Sequence, residues 1–541
     1  MLVKIVLVLS LAAALVACAP ASQPAPAARE SDQPRPGGQL NVTLESDPFD
    51  WDVTYLGKSN PNVYGLALSY NSLLHFKSGP GFDYTGAVLE PELAEKWSMS
   101  PDARTFTFNI RKGVKYAGLA PLGSREFTAA DVKWTLEYRT RNGEFKNKKL
   151  PPAQVDFLFE GMDQVDTPDP YTVVVRFKDP FAPFMNYAAS RWNPMLPKEI
   201  YQQDGHLKDK LVGTGPYILD TAATQKGSRW VWKKNPAYWE SGKPYLDEIR
   251  WLVLPAESAQ YAAFQTKQLD ILDSLAFANY QDVKKATPAV GELKYYATNA
   301  QALILSQTRG GPLTDVRVRR AISMSLDRDE ISKSVAGAQA LWAVPGSTAG
   351  TYSPEETRKL VRQDVEEAKK LLAEAGYASG TELEWPIPRD ESTANVSMFQ
   401  LVQAQLRRTG INVALKPLDL SDQRARRRRG DFDLDASIGG TGILNSDIDS
   451  LVYGRYHTGA AGNYGRAADS GLDKLLEASR QETDPAKRKD ILGKVSMRLL
   501  DQVWTVDTIY VPRWDVWHAH VKNYRPHFTD IPVYRFAWVD K

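Results

Sequence analysis

Six histidines are the side chains best suited to catalysis or metal binding in this chain, and only two of them fall close together. His75, His206, His457 and His527 are scattered, whereas His518 and His520 are two apart and would face one side of a strand. That makes two candidate metal ligands, but a zinc site takes three or four protein ligands, and no acid or cysteine beside them completes a set. No Gly-x-Ser-x-Gly elbow and no His-Glu-x-x-His pair occurs. Gly213-Thr214-Gly215 runs into Pro216 without the spacing or the lysine of a phosphate loop, so it reads as a turn beside a strand. No catalytic residue, metal or cofactor is assigned from the sequence, and an enzyme is a minor alternative.

The remaining chemistry lies in one thiol and one run of arginines. Cys18 is the only cysteine, at the end of Leu15-Val16-Ala17-Cys18. Lys4 precedes an apolar stretch from Ile5 to Val16 that is too short to span a bilayer, so the start of the chain reads as a secretory signal peptide. The Leu-x-Ala-Cys ending resembles the bacterial lipoprotein box, which implies cleavage before Cys18, lipidation of its thiol, and a chain tethered to the outer face of the cell membrane or in the periplasm. Residues 1–17 are then the signal, and 18–37, rich in Pro and Ala, form an extended tether. Beyond Cys18 no thiol remains for a disulfide, a zinc–thiolate site or a cysteine nucleophile within one chain. Arg424 and Arg426 to Arg429 suggest a nucleic-acid or phosphate surface, but the net charge of +2 and the lack of interleaved aromatics argue against nucleic acid. The sequence favours a solvated helix face or a contact with anionic lipid headgroups.

The elements that must position a site mix helices and strands without the regular alternation of a barrel. Gln39 to Leu44 and Thr105 to Ile110 alternate as half-buried strands, and Thr172 to Phe177 and Ile249 to Leu254 read as buried ones. Thr128-Ala129-Ala130-Asp131 is a capping box opening a helix with Val132, Trp134, Leu136 and Tyr138. Asp315 and Asp327 suit helix N-caps, and a stripe from Val365 to Ala375 is stopped by Gly376. With 43% hydrophobic and 24% charged residues over 541 positions, the chain is a globular body of two or three lobes, and no internal repeat of 20–50 residues is visible.

Several phrases, in order, resemble the extracellular solute-binding proteins of family 5, the peptide/nickel-type binding proteins of ABC importers. They are Leu93-Ala94-Glu95-Lys96-Trp97, Ser100-Pro101-Asp102, Ile110-Arg111-Lys112-Gly113-Val114-Lys115, Phe127 to Val132, Val212 to Tyr217, Asn235-Pro236-Ala237-Tyr238-Trp239, Asp315 to Ala321 with Asp327-Arg328, and Ala368 to Tyr377. The resemblance implies an α/β fold of the periplasmic-binding-protein type (cluster C), two hinged α/β lobes plus an inserted third. The expected division is 38–62, 200–295 and 510–541 for lobe I, 63–199 for the inserted lobe II, and 296–509 for lobe III. It also implies a monomer that captures an oligopeptide or similar polar solute and delivers it to ABC permease subunits.

By the same resemblance the cleft is lined by Asp50 and Trp51 after the first strand, Tyr70 and Asn71 entering the inserted lobe, Trp192, Trp385, Gly440 and Thr441, and Trp514. Peptide-binding relatives carry Trp-x-x-Asp and Asp-Pro after the strand that Phe432 to Ile438 resembles, and that Asp pairs with the peptide ammonium. Here the region reads Ile438-Gly439-Gly440-Thr441-Gly442-Ile443-Leu444-Asn445-Ser446-Asp447. Asp447 or Asp449 could replace the carboxylate. Fourteen tryptophans leave an oligosaccharide as the alternative ligand, through ring stacking, and a metal chelate as a minor one.

Overall fold

Alternation along Gln39–Leu44 turns Leu40, Val42 and Leu44 inward, and the strand joins a four-stranded sheet. It pairs parallel with Glu248–Val253, which pairs antiparallel with Arg229–Lys234, which in turn pairs with Tyr217–Leu219. The structure, a computed structural model, describes residues 33–48, 50–52, 60–77, 88–148, 150, 156–296, 301–341, 354–389, 393–437, 447–524 and 534–540. Cys18, Gly440 and Thr441 lie outside the described residues. Ile249 and Trp251 are buried as the sequence suggests, whereas Leu252, Val253 and Leu254 are only half-buried, Leu252 and Leu254 lying at the margin of a further apolar cluster that contains Phe264 and Trp514.

Between the first strand and Tyr217–Leu219 the chain builds a separate antiparallel sheet in the order Ala94–Met99, Thr105–Ile110, Thr172–Phe177, Met162–Asp169. The helix Ala129–Thr140 packs on it. Its capping box forms as the spacing predicts, and Arg125 clamps Asp131 through Nη1 at 3.0 Å and Nη2 at 2.7 Å. One continuous apolar core, with Phe106, Phe108 and Leu136 among its members, joins this sheet to the first.

A second apolar core lies around Gln301–Leu305, which is flanked antiparallel by Thr505–Tyr510 and Leu434–Ser437. Thr381–Pro388 and Ile411–Leu418 form a parallel pair beside it. Asp315 and Asp327 cap the helices Val316–Ser325 and Arg328–Ser334 by accepting from the Arg317 and Glu330 backbone N–H groups at 2.8 and 2.9 Å. Three further helices, Asp449–Tyr456, Ser470–Gln481 and Pro485–Gln502, share a third core with Trp504.

Two neighbouring chain segments connect the halves. Val290–Tyr296 pairs with Pro512–His518 in one sheet, while Gln301–Leu305 pairs with Thr505–Tyr510 in another. Tyr296 stands opposite Pro512 and Gln301 opposite Ile509, and between Tyr510 and Pro512 the chain passes from one sheet to the other through the single residue Val511.

Candidate functional site

The helix Asn60–Ser69 ends at a close contact that only glycine permits. Gly215 donates its N–H to the Ser69 carbonyl at 2.9 Å; a Cβ on Gly213 would stand 2.0 Å from that oxygen, and one on Gly215 2.4 Å from the Ser69 carbonyl carbon. The approach lets Thr214 Oγ1 donate to Asn71 Oδ1 at 3.0 Å. Asn71 Nδ2 donates to Glu92 Oε1 at 2.7 Å, and the Ser72 backbone N–H holds Glu92 Oε2 at 2.9 Å. Burial pushes the Glu92 carboxyl up, against the opposing charge of Arg535. Arg535, itself buried, donates through Nη2 to His75 Nε2 at 2.7 Å. Tyr70, Asn71, His75, Glu92, Arg191 and Arg535 line a small pocket, and the half-buried Trp192 stands next in sequence to Arg191, whose guanidinium lies 5.8 Å from its ring.

Other residues singled out from the sequence lie apart from that pocket. Trp51 is 5% exposed and meets Trp230 and Trp232 edge-on, with ring centres at 5.7 and 6.1 Å. Asp50 turns back to accept from the Asp52 N–H at 2.9 Å. Trp385, 1% exposed, packs against Phe399 in the second core, and its indole N–H has no acceptor among the described residues. Trp514 lies near the crossing, stacked on Tyr280 at 5.0 Å. Beside it in sequence, Asp515 accepts from the Ser274 N–H at 2.8 Å, Tyr295 Oη at 3.2 Å and Tyr524 Oη at 3.1 Å. Burial pushes the carboxyls of Asp273 and Asp515 up, and the charge of Asp515 raises Asp273 further.

Asp447 is buried and held by Arg488 through two hydrogen bonds, at 2.7 and 2.9 Å, and it also accepts from Asn186 Nδ2 at 3.0 Å. Burial pushes its carboxyl up, but the Arg488 guanidinium outweighs this and leaves it below the usual carboxylate range. Asp449 is likewise held by Arg480 at 2.9 and 3.0 Å, and Tyr187 donates to it. Arg480, Arg488, Asn186 and Tyr187 had no signal in the sequence, since their partnerships join parts of the chain with no local pattern in common.

The histidine pair and the arginine run are absorbed locally. His518 Nε2 meets the Phe264 carbonyl at 2.9 Å and His520 Nε2 meets Asp270 at 2.6 Å, so the two nitrogens serve different partners. Arg424, Arg428 and Arg429 are exposed on the helix Leu420–Arg429, but two neighbours depart from the expected solvated face. Arg426 reaches Glu384 at 2.9 Å, and Arg427 clamps the buried Asp435. The acids of the adjoining strands draw those two inward.

The family model for bacterial extracellular solute-binding proteins, family 5 Middle, matches residues 88–463. The chain is 27% identical over 496 residues to the dipeptide-binding protein of Escherichia coli K12, covering 86% of this chain and 89% of that one. It is 27% identical over 465 residues to heme-binding protein A of Haemophilus influenzae, covering 80% of each. The solved dipeptide-binding protein of Pseudoalteromonas sp. SM9913, in complex with Met-Leu, superposes with a TM-score of 0.78 at 21% identity, covering 93% of this chain and all of that one.

Proposed function

Because this chain belongs to the bacterial extracellular solute-binding proteins of family 5, we propose that it captures a small peptide or similar polar solute and delivers it to an ABC importer's permease. The observation that supports this reading is the close pairing of Tyr296 with Pro512 and of Gln301 with Ile509 on either side of Val511, between separately cored bodies, which we read as a hinge. We assign residues 38–62, 200–295 and 510–541 to lobe I, 63–199 to the inserted lobe II and 296–509 to lobe III. Solute held between lobes I and III stabilises the closed state only by its greater affinity for it, so its contacts must come from both sides. Trp514 beside the crossing is the aromatic candidate, with Trp192, Tyr70 and Asn71 bordering the inserted lobe, whereas Trp385 is enclosed in the second core and is dropped as a ligand contact. No helix among the described residues is long and apolar enough to cross a membrane, and attachment is assigned to the lipid on Cys18.

A polar organic solute such as an oligosaccharide is the second reading. One observation favours it: Asp447 and Asp449 are each closed by an arginine, so neither offers an open carboxylate to a peptide ammonium in this conformation.

Native mass spectrometry of the purified protein, followed by calorimetry with di- and tripeptides and with oligosaccharides, decides between them. A true ligand at 100 times its dissociation constant stabilises the fold by about 2.7 kcal/mol and reduces the radius of gyration in small-angle scattering. A solute released chemically altered, or binding without compaction, overturns capture. Cys18→Ser is expected to move the folded protein from the membrane to the soluble exported fraction, and unchanged retention overturns the anchor.

A further inference from the structure

The contact between the segment around Asn186 and the helices after Ile448 has an unusual division of labour. From one side come donors: Asn186 Nδ2 to Asp447 Oδ2 at 3.0 Å, Tyr187 Oη to Asp449, and the Ala182 N–H to the Arg480 carbonyl at 2.8 Å. The other side supplies all three acceptors. Glu160 returns one contact by accepting from Arg480 Nη1 at 2.7 Å, and the Arg480 guanidinium lies over the rings of Tyr453 and Phe181 at 3.2 and 5.1 Å.

The two fully buried carboxylates, Asp447 with Arg488 and Asp449 with Arg480, are paired within the helical side, and one further ion pair, Arg480 with the half-exposed Glu160, crosses the contact. Breaking a buried pair by removing one partner is strongly destabilising because it strands a charge. Separating the two faces strands no buried charge, since Asp447 and Asp449 keep their arginines, while the half-exposed Glu160 and the vacated donors and acceptors turn to water. Apolar packing does not weld the faces either. Phe181, Phe184 and Tyr187 belong to one apolar core, Val452, Tyr453 and Tyr456 to another, and no cluster among the described residues spans them. An interface specific in register, polar, and self-neutral on the charged side is suited to form and part repeatedly.

We propose that Asn186, Tyr187 and the Ala182 N–H, docked on Asp447, Asp449 and Arg480, form a reversible latch that holds the inserted lobe against lobe III. The latch adds closing energy independent of the solute and fixes the register in which the cleft shuts. It rests on the two-lobe reading for what moves, but its test needs no solute.

With Cys18→Ser the chain is free of cysteine, so Lys178→Cys and Lys489→Cys, both at exposed positions, give one spin-label pair reporting across the contact. The double variant Asn186→Ala/Tyr187→Phe removes two donors without stranding a charge; Tyr187→Phe alone, nearly isosteric, is the second variant should the first fold poorly. The short-distance population is expected to fall in each variant relative to the parent, with or without solute, and the double variant to bind solute about tenfold more weakly. Equal short-distance populations in parent and variants overturn the latch whatever the affinity does. Failure of every solute to bind, with the populations still shifting, overturns capture and leaves the latch standing.

Discussion

Gly213 and Gly215 show how one missing atom fixes the surroundings of a pocket. Both lie against the Ser69 backbone, which cannot step aside as a flexible side chain would, and the contact aligns Thr214 with Asn71. Gly213→Ala is expected to destabilise the protein by about 2 kcal/mol or more, because overpacking against backbone forces the chain to move. Urea unfolding measures this, and a loss within about 0.5 kcal/mol would show that the approach relaxes cheaply. The sequence marked Gly213-Thr214-Gly215 as a turn, but its partner at Ser69 lies more than 140 positions away and has no local signature. Trp51 and Trp385 were equally opaque. An aromatic beside a strand reads the same whether it faces a cleft or a core, and these two are enclosed by Trp230, Trp232 and Phe399.

Elements were more legible than contacts, because their signals are local. The period of two along Gln39–Leu44 and Thr105–Ile110, the box at Thr128 and Asp131, and the caps at Asp315 and Asp327 each need only a few adjacent residues, and each element forms there. The helix Leu420–Arg429 marks the boundary of that legibility. Its position followed from the sequence, but the separate roles of its arginines depend on which acids the neighbouring strands bring near. Burial pushes the Asp435 carboxyl up even with Arg427 beside it, so removing the arginine leaves a buried acid with less compensation. Arg427→Ala is expected to cost about 2–4 kcal/mol, less than a fully buried pair because the guanidinium keeps some exposure. Arg424→Ala and Arg428→Ala should each stay within about 0.5 kcal/mol. Equal losses at all three positions, in chemical unfolding at one pH, would contradict this division.

At the scale of the whole molecule, stability should carry a pH dependence set beside the crossing. Asp515 stands three residues beyond Pro512, on the strand that continues through Val511 into the opposite sheet, and Asp273 is on the antiparallel neighbour of that strand. Their surroundings supply Tyr295 and Tyr524 as hydroxyl donors to Asp515, with the charge of Glu45 adding to the repulsion at Asp273. Both carboxyls are raised toward neutrality, first by burial and, for Asp273, next by the charge of Asp515. The folded state therefore binds protons that the unfolded state, with carboxyls near their ordinary value of about 4, has already released. Stability then falls as pH rises from about 4 toward neutrality and levels once both states are ionised. Carboxylates held below their usual range, such as Asp447 and Asp469, act oppositely, so the pair is isolated only by difference. Asp273→Asn removes the repulsion while keeping a polar group of the same shape. Relative to the parent, the variant should gain on the order of 1–2 kcal/mol between pH 5 and pH 8, read from urea unfolding at the two pH values. A variant that follows the parent in parallel across that range would mean that water reaches the pair and screens it, and that the sheet beside the crossing stores no such charge.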